Sequence, residues 1–438
     1  MTTTTPRAGR RWRIGALLGV GILVNYFDRI SLSVAAPQLQ QEFHLSSGDI
    51  GLLFSAFFWT YALLQIPTGM ILDRFGVTRV GRWGAFLWGI ASTLTAFAGG
   101  FGGIFAARAL LGVAEAPGFP ASSKATGYWF PRRERAMATA IFDAAAKFSN
   151  VIGVPLVALA VVHLGWRWGF AVTACLSIAY FFAFWLLYRD PSQDPKLTEE
   201  ERRYILDGGA TPEGQSQGGS LRMLGYLLRQ RKVWGLSLGF AAYGYVFYLF
   251  LTWLPGYLVQ AMHMSILKSA GFAAIPWIFA TLSDLIVGGW LIDHLIARGH
   301  DETRVRKAVL LGGMLMGLAV FGATTTQDPY VAIVWITIAL SGLAAAAPVG
   351  WSLPSLIAPQ GGTGTVGGIM NFANNMMGAV APIVTGYIVG STHSFTNAFL
   401  VAGIMLLIGV AAFVFLLGRI EAIPSPDFAN SETAQRAA

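Results

Sequence analysis

The sequence carries little charge and almost no cysteine. Only 12% of its 438 residues are charged and 55% are hydrophobic, whereas soluble domains have about 25% charged residues. The single cysteine, Cys175, lies in an apolar run, which excludes an intramolecular disulfide and argues against a cysteine-based zinc site. The formal net charge is +8, but the apolar runs between the charges are too long for a nucleic-acid-binding surface. We expect no nucleic-acid partner, no metal site and no cofactor.

The sequence also lacks the motifs of several enzyme classes. It contains no HExxH, no GxSxG and no P-loop, and its six histidines are scattered. A membrane-embedded enzyme would need such a catalytic constellation, and ATP-driven export by this chain alone would need the P-loop. We therefore predict that the chain is not an enzyme.

Long apolar segments dominate what is present. A window of about 20 residues, the length of a helix across a bilayer, finds twelve segments. The 52 glycines and 19 prolines are tolerated in membrane helices, and no period-two alternation indicates barrel strands. The sequence predicts an all-α membrane protein whose twelve spans are 14–36, 51–72, 83–101, 103–123, 136–162, 168–188, 234–258, 268–292, 307–325, 329–350, 363–389 and 395–417.

The first apolar segment follows a basic N-terminus, as in a secretory signal peptide. It is interrupted by Asp28 and Arg29 and continues to Pro37 without a convincing small-residue cleavage site. We therefore interpret it as a retained first membrane helix.

Basic residues predict the orientation. Twenty-five of the 30 Lys and Arg residues fall on one side of the twelve spans and two on the other, which the positive-inside rule interprets as a cytoplasmic location of both termini. The predicted organisation is a cytoplasmic segment 1–13, a six-helix half 14–188, a cytoplasmic linker 189–233, a second six-helix half 234–417 and a cytoplasmic tail 418–438.

The two halves repeat one motif. Gly69 and Asp73 follow span 2, and Gly289 and Asp293 end span 8 with the same spacing, 220 residues later. Two six-helix halves related in this way resemble the major facilitator superfamily, in which the substrate site lies between the halves near the bilayer midplane. Residues at these helix ends can bond exposed helix termini, so we predict gating roles for Asp73, Arg74, Arg79 and Asp293.

Four ionisable residues fall inside predicted spans 1 and 4. Asp28 and Arg29 are adjacent, and Arg108 and Glu115 are seven residues apart on one helix face. Charges at membrane depth cost at least ~2.5–3.5 kcal/mol on insertion scales and usually serve a function. We expect the four to form one cluster in a central cavity; the alternative is that they are ion pairs needed only for packing.

Further polar residues occur in later spans. Asp143 and Lys147 are four residues apart and share a helix face, so their side chains can form an internal salt bridge. The alternative is that Lys147 binds an anion. Asp284 in span 8 is either a second titrating site or a polar lining residue. Tyr243 in span 7 either presents its hydroxyl to a ligand or only packs. Span 11 contains Asn371, Asn374 and Asn375, and at least one of these amides is predicted to face the cavity, because an unsatisfied amide in lipid is costly.

Four segments together resemble one branch of the superfamily, the anion:cation symporters, which include hexuronate, galactonate and glucarate carriers and sialin-type organic-anion carriers. These segments are Asn25 to Arg29, Arg108 with Glu115, Tyr248 to Pro255, and Asn371 to Asn375. The resemblance implies that Asp28 and Glu115 are the proton sites. It also implies that Arg29, Tyr61, Arg108, Trp351 and Asn371 hold the anion.

Span 5 departs from this pattern. Sugar-acid carriers of the family tend to have a glutamine where this sequence has Ala146, next to Lys147. A hydroxyl-rich aldonate would lose a hydrogen-bond partner there, which leaves room for dicarboxylates or aromatic carboxylates.

These observations predict a monomeric, proton-coupled symporter that imports a small organic anion, a sugar acid or another carboxylate, across a bacterial inner membrane. Its partners would be the anion, protons and the lipid bilayer. We expect Glu115 to change protonation more readily than Asp28, because its closest basic neighbour in sequence is Arg108 whereas Asp28 adjoins Arg29. An organic-anion exchanger or exporter of the same fold, and a sensor that binds without transport, remain alternatives.

Overall fold

The computed structural model describes residues 9–131, 134–210, 213, 221–359 and 362–425, without the side chains of Ile66, Asp73, Ala136, Ala140, Leu221 and Asp293. These residues form helices and no strands. Ten helices in this part of the chain are long and apolar enough to cross a membrane. The other two of the twelve predicted crossings are shorter or kinked helices of the first half. Large apolar side chains such as Leu186 and Phe415 are about 70% exposed on the outer surface, which suits contact with lipid.

The first half contains six helices, α1 (Arg10–Phe43), α2 (Ser47–Ala96), α3 (Phe101–Glu115), α4 (Gly118–Trp129), α5 (Arg135–Leu164) and α6 (Trp166–Leu187). Helix α2 includes predicted spans 2 and 3, which turn at Gly76, where φ is 77°. This left-handed conformation favours glycine. The single span predicted at 103–123 is instead two helices separated near Pro117, because proline lacks a backbone donor and clashes with the preceding turn.

The second half follows two short helices, α7 (Glu199–Asp207) and α8 (Leu221–Leu227). Its helices are α9 (Arg231–Gln260), α10 (Ile266–Ser283), α11 (Ile292–Ala297), α12 (Glu302–Gly317), α13 (Pro329–Ile357), α14 (Thr363–Thr392) and α15 (Thr396–Ala411). A π-helical segment, Asp284–Leu291, joins α10 to α11 as one crossing. Segments Leu318–Thr324 and Ala412–Leu417 continue α12 and α15. The protein is thus an all-α membrane protein with twelve crossings in two sets of six.

Ion pairs attach the linker to the first half. Arg11 is 2% exposed and bridges Glu134, at 2.7 Å, and Glu201 of α7, at 2.8 Å. Arg10 pairs with Asp194 at 2.8 Å. The start of α1, the start of α5 and helix α7 therefore lie together on one side. We call this the basic side because the sequence predicts most Lys and Arg residues there.

The two halves close against each other on the opposite side. There Gln260 of α9 donates to Gln40 of α1 at 2.9 Å. Helices α2 and α14 approach so closely that a Cβ added to Gly51 would lie 2.5 Å from the Pro382 carbonyl oxygen. Toward the basic side, Gly69 of α2 and Gly368 of α14 meet no described atom within 4 Å of such a Cβ. The space between the halves is thus open toward the basic side.

Candidate functional site

Arg29 lies at the centre of an aromatic cluster. Its guanidinium carbon is 4.7 Å from the ring centre of Tyr26, 4.5 Å from that of Phe57 and 4.9 Å from that of Tyr61. Its Nε and Nη2 atoms are each 3.4 Å from Oε2 of Glu115, and all these residues are buried. The rings and the carboxylate stabilise a cation that the membrane interior would otherwise disfavour.

Glu115 contacts a residue of another helix, as expected for the cluster of spans 1 and 4. Its partner is Arg29 of α1, which is 86 residues away in sequence. The 3.4 Å contacts are long for charge-assisted hydrogen bonds, which are usually 2.7–2.9 Å. Oε1 of Glu115 has no hydrogen-bond partner among the described residues. Glu115 is therefore held only weakly by Arg29.

Asp28 faces away from Arg29. Its Oδ2 accepts hydrogen bonds from Nε1 of Trp88 and, at 2.8 Å, from the hydroxyl of Ser177. Adjacent residues of a helix point about 100° apart, so Asp28 lies inside the first half, between α2 and α6. The expectation that Asp28 adjoins the cation at the site was wrong for its side chain.

Arg108 is 3% exposed and donates from Nη1 to the backbone oxygen of Asp28 at 2.8 Å. Its guanidinium also lies 5.5 Å from the ring centre of Phe57. Nε has no partner within the described part of the chain. The structure thus brings together Arg29, Arg108 and Glu115, three of the four residues expected to cluster, with Tyr61 beside them. Part of the Arg108 guanidinium has no partner in the described structure.

A cavity of about 50 Å³ lies inside the first half beside this cluster. Glu115, Asn25 and Trp88 line it, together with small residues of α2 and α4. Oδ1 of Asn25 is buried and unpaired in the described structure, as is Oε1 of Glu115. One water needs roughly 10–15 Å³ on this measure, so the cavity has the size and the polar groups for a few waters beside the carboxyl of Glu115.

Amides and a phenol continue the site into the second half. Asn371 donates to Oε1 of Gln65 across the two halves at 3.4 Å. Asn375 donates to Oδ1 of Asn371 at 2.9 Å, and the hydroxyl of Tyr248 donates to Asn375 at 3.0 Å. Asn371 therefore lies at the interface, where its predicted role places it.

Lys147 forms a second charged group at the interface. Its Nζ is 2.9 Å from Oδ2 of Asp143 and 2.7 Å from Oδ2 of Asp284 in the second half. The pairing with Asp143 was predicted; the bridge to Asp284 joins residues 137 positions apart. Tyr243 is buried in the neighbourhood of Lys147 and Asp284.

Tyr243 also stacks on Phe240, with ring centres 4.9 Å apart, and Phe240 lies edge-on to Trp351 at 4.9 Å. Trp351 is 42% exposed. An aromatic series therefore runs along the second half from the Lys147 bridge to Trp351.

A family model described as Major Facilitator Superfamily matches residues 18–382. The chain belongs to this superfamily. The Bacillus subtilis (strain 168) protein "Uncharacterized transporter YybO" is 42% identical over 94% of this chain and 95% of its own length. The Escherichia coli (strain K12) protein "Probable galactarate/D-glucarate transporter GudP" is 33% identical over 95% of each.

A solved structure shows the same major facilitator fold. It is the crystal structure of a bacterial homologue of the human lysosomal transporter Spinster in an inward-facing conformation, with a TM-score of 0.70 over 94% of this chain and 96% of that chain, at 19% identity. This facilitator is therefore a multi-pass membrane transporter. The relatives, all named as transporters, confirm that it is not an enzyme.

The residues predicted to act as a gate lie at the open, basic side of this facilitator. Arg74 is exposed and stacks on its neighbour Phe75 at 5.3 Å, and Arg79 is exposed. Neither arginine forms an ion pair within the described residues. The side chains of Asp73 and Asp293 lie outside the description, so the gating roles stay predictions.

Several residues at the facilitator's site were not predicted from the sequence. Phe57 and Gln65 of α2 and Trp88 and Ser177 around Asp28 have no spacing that marks them, because their partners are on other helices. Tyr26 adjoins the Asp28–Arg29 pair, so its place in the site follows from the motif only once the rotation of α1 is known.

Proposed function

We propose that this facilitator imports a small organic anion together with protons across a bacterial inner membrane, by alternating exposure of a site between its halves. The observation that carries the proposal is the contact between Arg29 and Glu115. A substrate carboxylate that binds Arg29 displaces Glu115, and a buried carboxyl without its cation is neutralised by a proton. Substrate and proton binding are thereby linked at one guanidinium.

The charge of the site supports this linkage. Three cations, Arg29, Arg108 and Lys147, lie within the membrane-spanning part together with four carboxylates. These are Asp28, whose side chain binds Trp88 and Ser177, and Glu115, Asp143 and Asp284. With every group ionised the site has a net charge of −1, so an added anion would be repelled in a low-dielectric interior. Protonation of carboxyl groups removes this repulsion, which favours anion binding together with proton uptake.

We assign the proton sites to Glu115 and Asp28 and the anion site to Arg29 and Arg108. In this assignment Tyr61, which packs on Arg29, also contributes to the binding surface. Asn371 and Lys147 at the interface and Tyr243 and Trp351 of the second half complete it. The cavity beside Glu115 has room for water next to its carboxyl, within the first half. In this proposal the proton reaches Glu115 through that water rather than through the opening between the halves.

The basic loops support the proposed orientation, with both termini cytoplasmic; in it, the open side of the structure faces the cytoplasm. The tight contacts between α2 and α14 on the other side then form the closed periplasmic gate. We propose that Asp73, Arg74, Arg79 and Asp293 close the cytoplasmic side in the alternate state. Each monomer carries a complete site.

Relatives named for galactarate and D-glucarate support a carboxylate substrate. The test is uptake of radiolabelled galactarate and a panel of carboxylates into proteoliposomes with an inward proton gradient. Accumulation that a protonophore abolishes supports symport. Exchange of internal for external anion without any response to the proton gradient would instead identify an exchanger.

A further inference from the structure

Lys147 is the one charged residue of α5 that the described structure shows reaching into the second half. Its side chain is 6% exposed, and its ammonium binds Asp284 at 2.7 Å and Asp143 at 2.9 Å. Asp284 is 5% exposed at its side chain, whereas that of Asp143 is 30% exposed. A buried ammonium thus holds one carboxylate from each half.

Asp284 is incompletely satisfied in this bridge. Its Oδ1 is buried and has no hydrogen-bond partner in the described structure. Two carboxylates on one ammonium give the triad a net charge of −1. A structural bridge would need only one carboxylate, and a fully satisfied buried pair would leave no oxygen unpaired.

The triad adjoins the anion site. Tyr26 packs on Arg29 at 4.7 Å and lies in the neighbourhood of Asp143 and Lys147. Tyr243 of α9 interacts with Lys147, Asp284 and Tyr26. A ligand bound to Arg29 at one end can therefore extend along these two phenols toward Lys147.

Resting on the proposed function, we propose that Lys147 binds the second carboxylate of a dianionic substrate, which displaces Asp284, and that the displaced Asp284 takes up a proton. The dianion would then enter with one more proton than a monoanion of the same size.

The exchange conserves charge. The salt bridge from Lys147 to Asp284 breaks, one from Lys147 to the substrate carboxylate forms, and a proton from water binds Asp284. The triad, counted with the substrate carboxylate, stays at −1. The titratable groups that face Asp284 are Asp143 and Lys147 of α5 and Tyr243 of α9. Residues 339–350 of α13 pack on the other side of Asp284, and this segment contains no titratable residue. No second cation is therefore available within the described structure to hold Asp284 ionised.

The experiment compares galactarate, a dianion, with galactonate, its six-carbon monoanion analogue, in proteoliposomes. Competition binding measures affinity, and the membrane potential that cancels net flux at a fixed pH gradient measures protons per substrate. We expect the wild type to bind the dianion at least tenfold more tightly. Lys147→Ala should lose about 30-fold or more in dianion affinity and change monoanion affinity less than threefold.

Asp284→Asn should still bind the dianion but carry one proton fewer with it, with no change in the proton count for the monoanion. Asp143→Asn is the matched control, because it removes a carboxylate from the same ammonium without touching the second half, and it should keep the wild-type proton count.

The double variant Lys147→Ala, Asp284→Ala removes the ammonium together with its buried partner and leaves only Asp143, whose side chain is 30% exposed. It serves if Lys147→Ala does not fold, and it should bind both probes with equal affinity. If either Lys147 variant loses the same factor of affinity for galactarate and for galactonate, the carboxylate subsite at Lys147 is refuted. A wild type that does not prefer the dianion would also refute it. An unchanged proton count in Asp284→Asn would overturn the proton step. Absence of any proton-driven uptake would instead refute the proposed function itself.

Discussion

Replacing Arg108 by alanine is the perturbation whose effect the structure defines most closely. The guanidinium is held from one side by the backbone oxygen of Asp28, at 2.8 Å, while Nε is buried without a described partner. The residue is thus positioned in advance, with part of its donor capacity unused. We expect Arg108→Ala to abolish most substrate binding.

The magnitude follows from the bonds that the free part can form. A hydrogen bond to a charged group contributes about 1.5–3 kcal/mol, so two such bonds to a carboxylate give roughly 3–6 kcal/mol. Since 1.4 kcal/mol is a tenfold change in Kd, the lower bound corresponds to a loss of about 100-fold. Arg108→Lys keeps the charge but not the planar fork, so we expect an intermediate loss of roughly tenfold.

The assay is substrate binding to the purified variants by calorimetry, with thermal melting to verify that each variant is folded. Arg167→Ala is the matched control. Arg167 is 48% exposed and pairs with Glu42 on the opposite side, and exposed pairs contribute only about 0–1 kcal/mol. Its Kd should stay within twofold of the wild-type value. A folded Arg108→Ala protein with a Kd within threefold of wild type would refute the role of this guanidinium.

Two further predictions concern the gate and the basic side. A Cβ on Gly386 would clash with the Ser47 carbonyl oxygen, so Gly386→Val should separate α2 from α14. Spin labels at positions 46 and 391, in a Cys175→Ser background, should then move apart. An unchanged distance between the labels would contradict the closed gate. Burial raises the pKa of Asp190 above its ordinary value, and a hydrogen bond from Thr78 offsets part of this. The stability contributed by Asp190 is therefore present below about pH 3.8 and lost as the pH rises through the raised pKa. Asp190→Asn should melt at or above the wild-type temperature at pH 8 and lose this advantage toward pH 4; a difference independent of pH would count against the burial argument.

The sequence predicts the twelve crossings because each depends on local composition, and the repeated Gly69–Asp73 and Gly289–Asp293 spacing indicates the two halves. It also predicts that Arg29, Arg108 and Glu115 meet, since charges in a membrane require partners. It does not predict that Asp28 binds Trp88 and Ser177, because the rotation of α1 depends on packing against helices that are distant in sequence.

The bridge from Lys147 to Asp284 shows the same limit. Its two residues lie on different halves, and no helical periodicity relates positions 137 apart. The neighbouring pair of Asp143 and Lys147, four residues apart, was predicted because one turn of helix places both on one face. Local spacing therefore predicts contacts within a helix, while contacts between the halves require the fold.

The measurement that tests the coupling most directly compares exchange with net accumulation for Glu115→Gln. Glutamine keeps the size of the protonated acid but cannot release a proton. Vesicles loaded with unlabelled substrate should exchange it for external label at a near-normal rate, because exchange does not require the empty carrier to lose a proton. With an inward proton gradient and empty vesicles, the same variant should fail to accumulate substrate. Normal proton-driven accumulation by Glu115→Gln would contradict the assignment of the proton to Glu115.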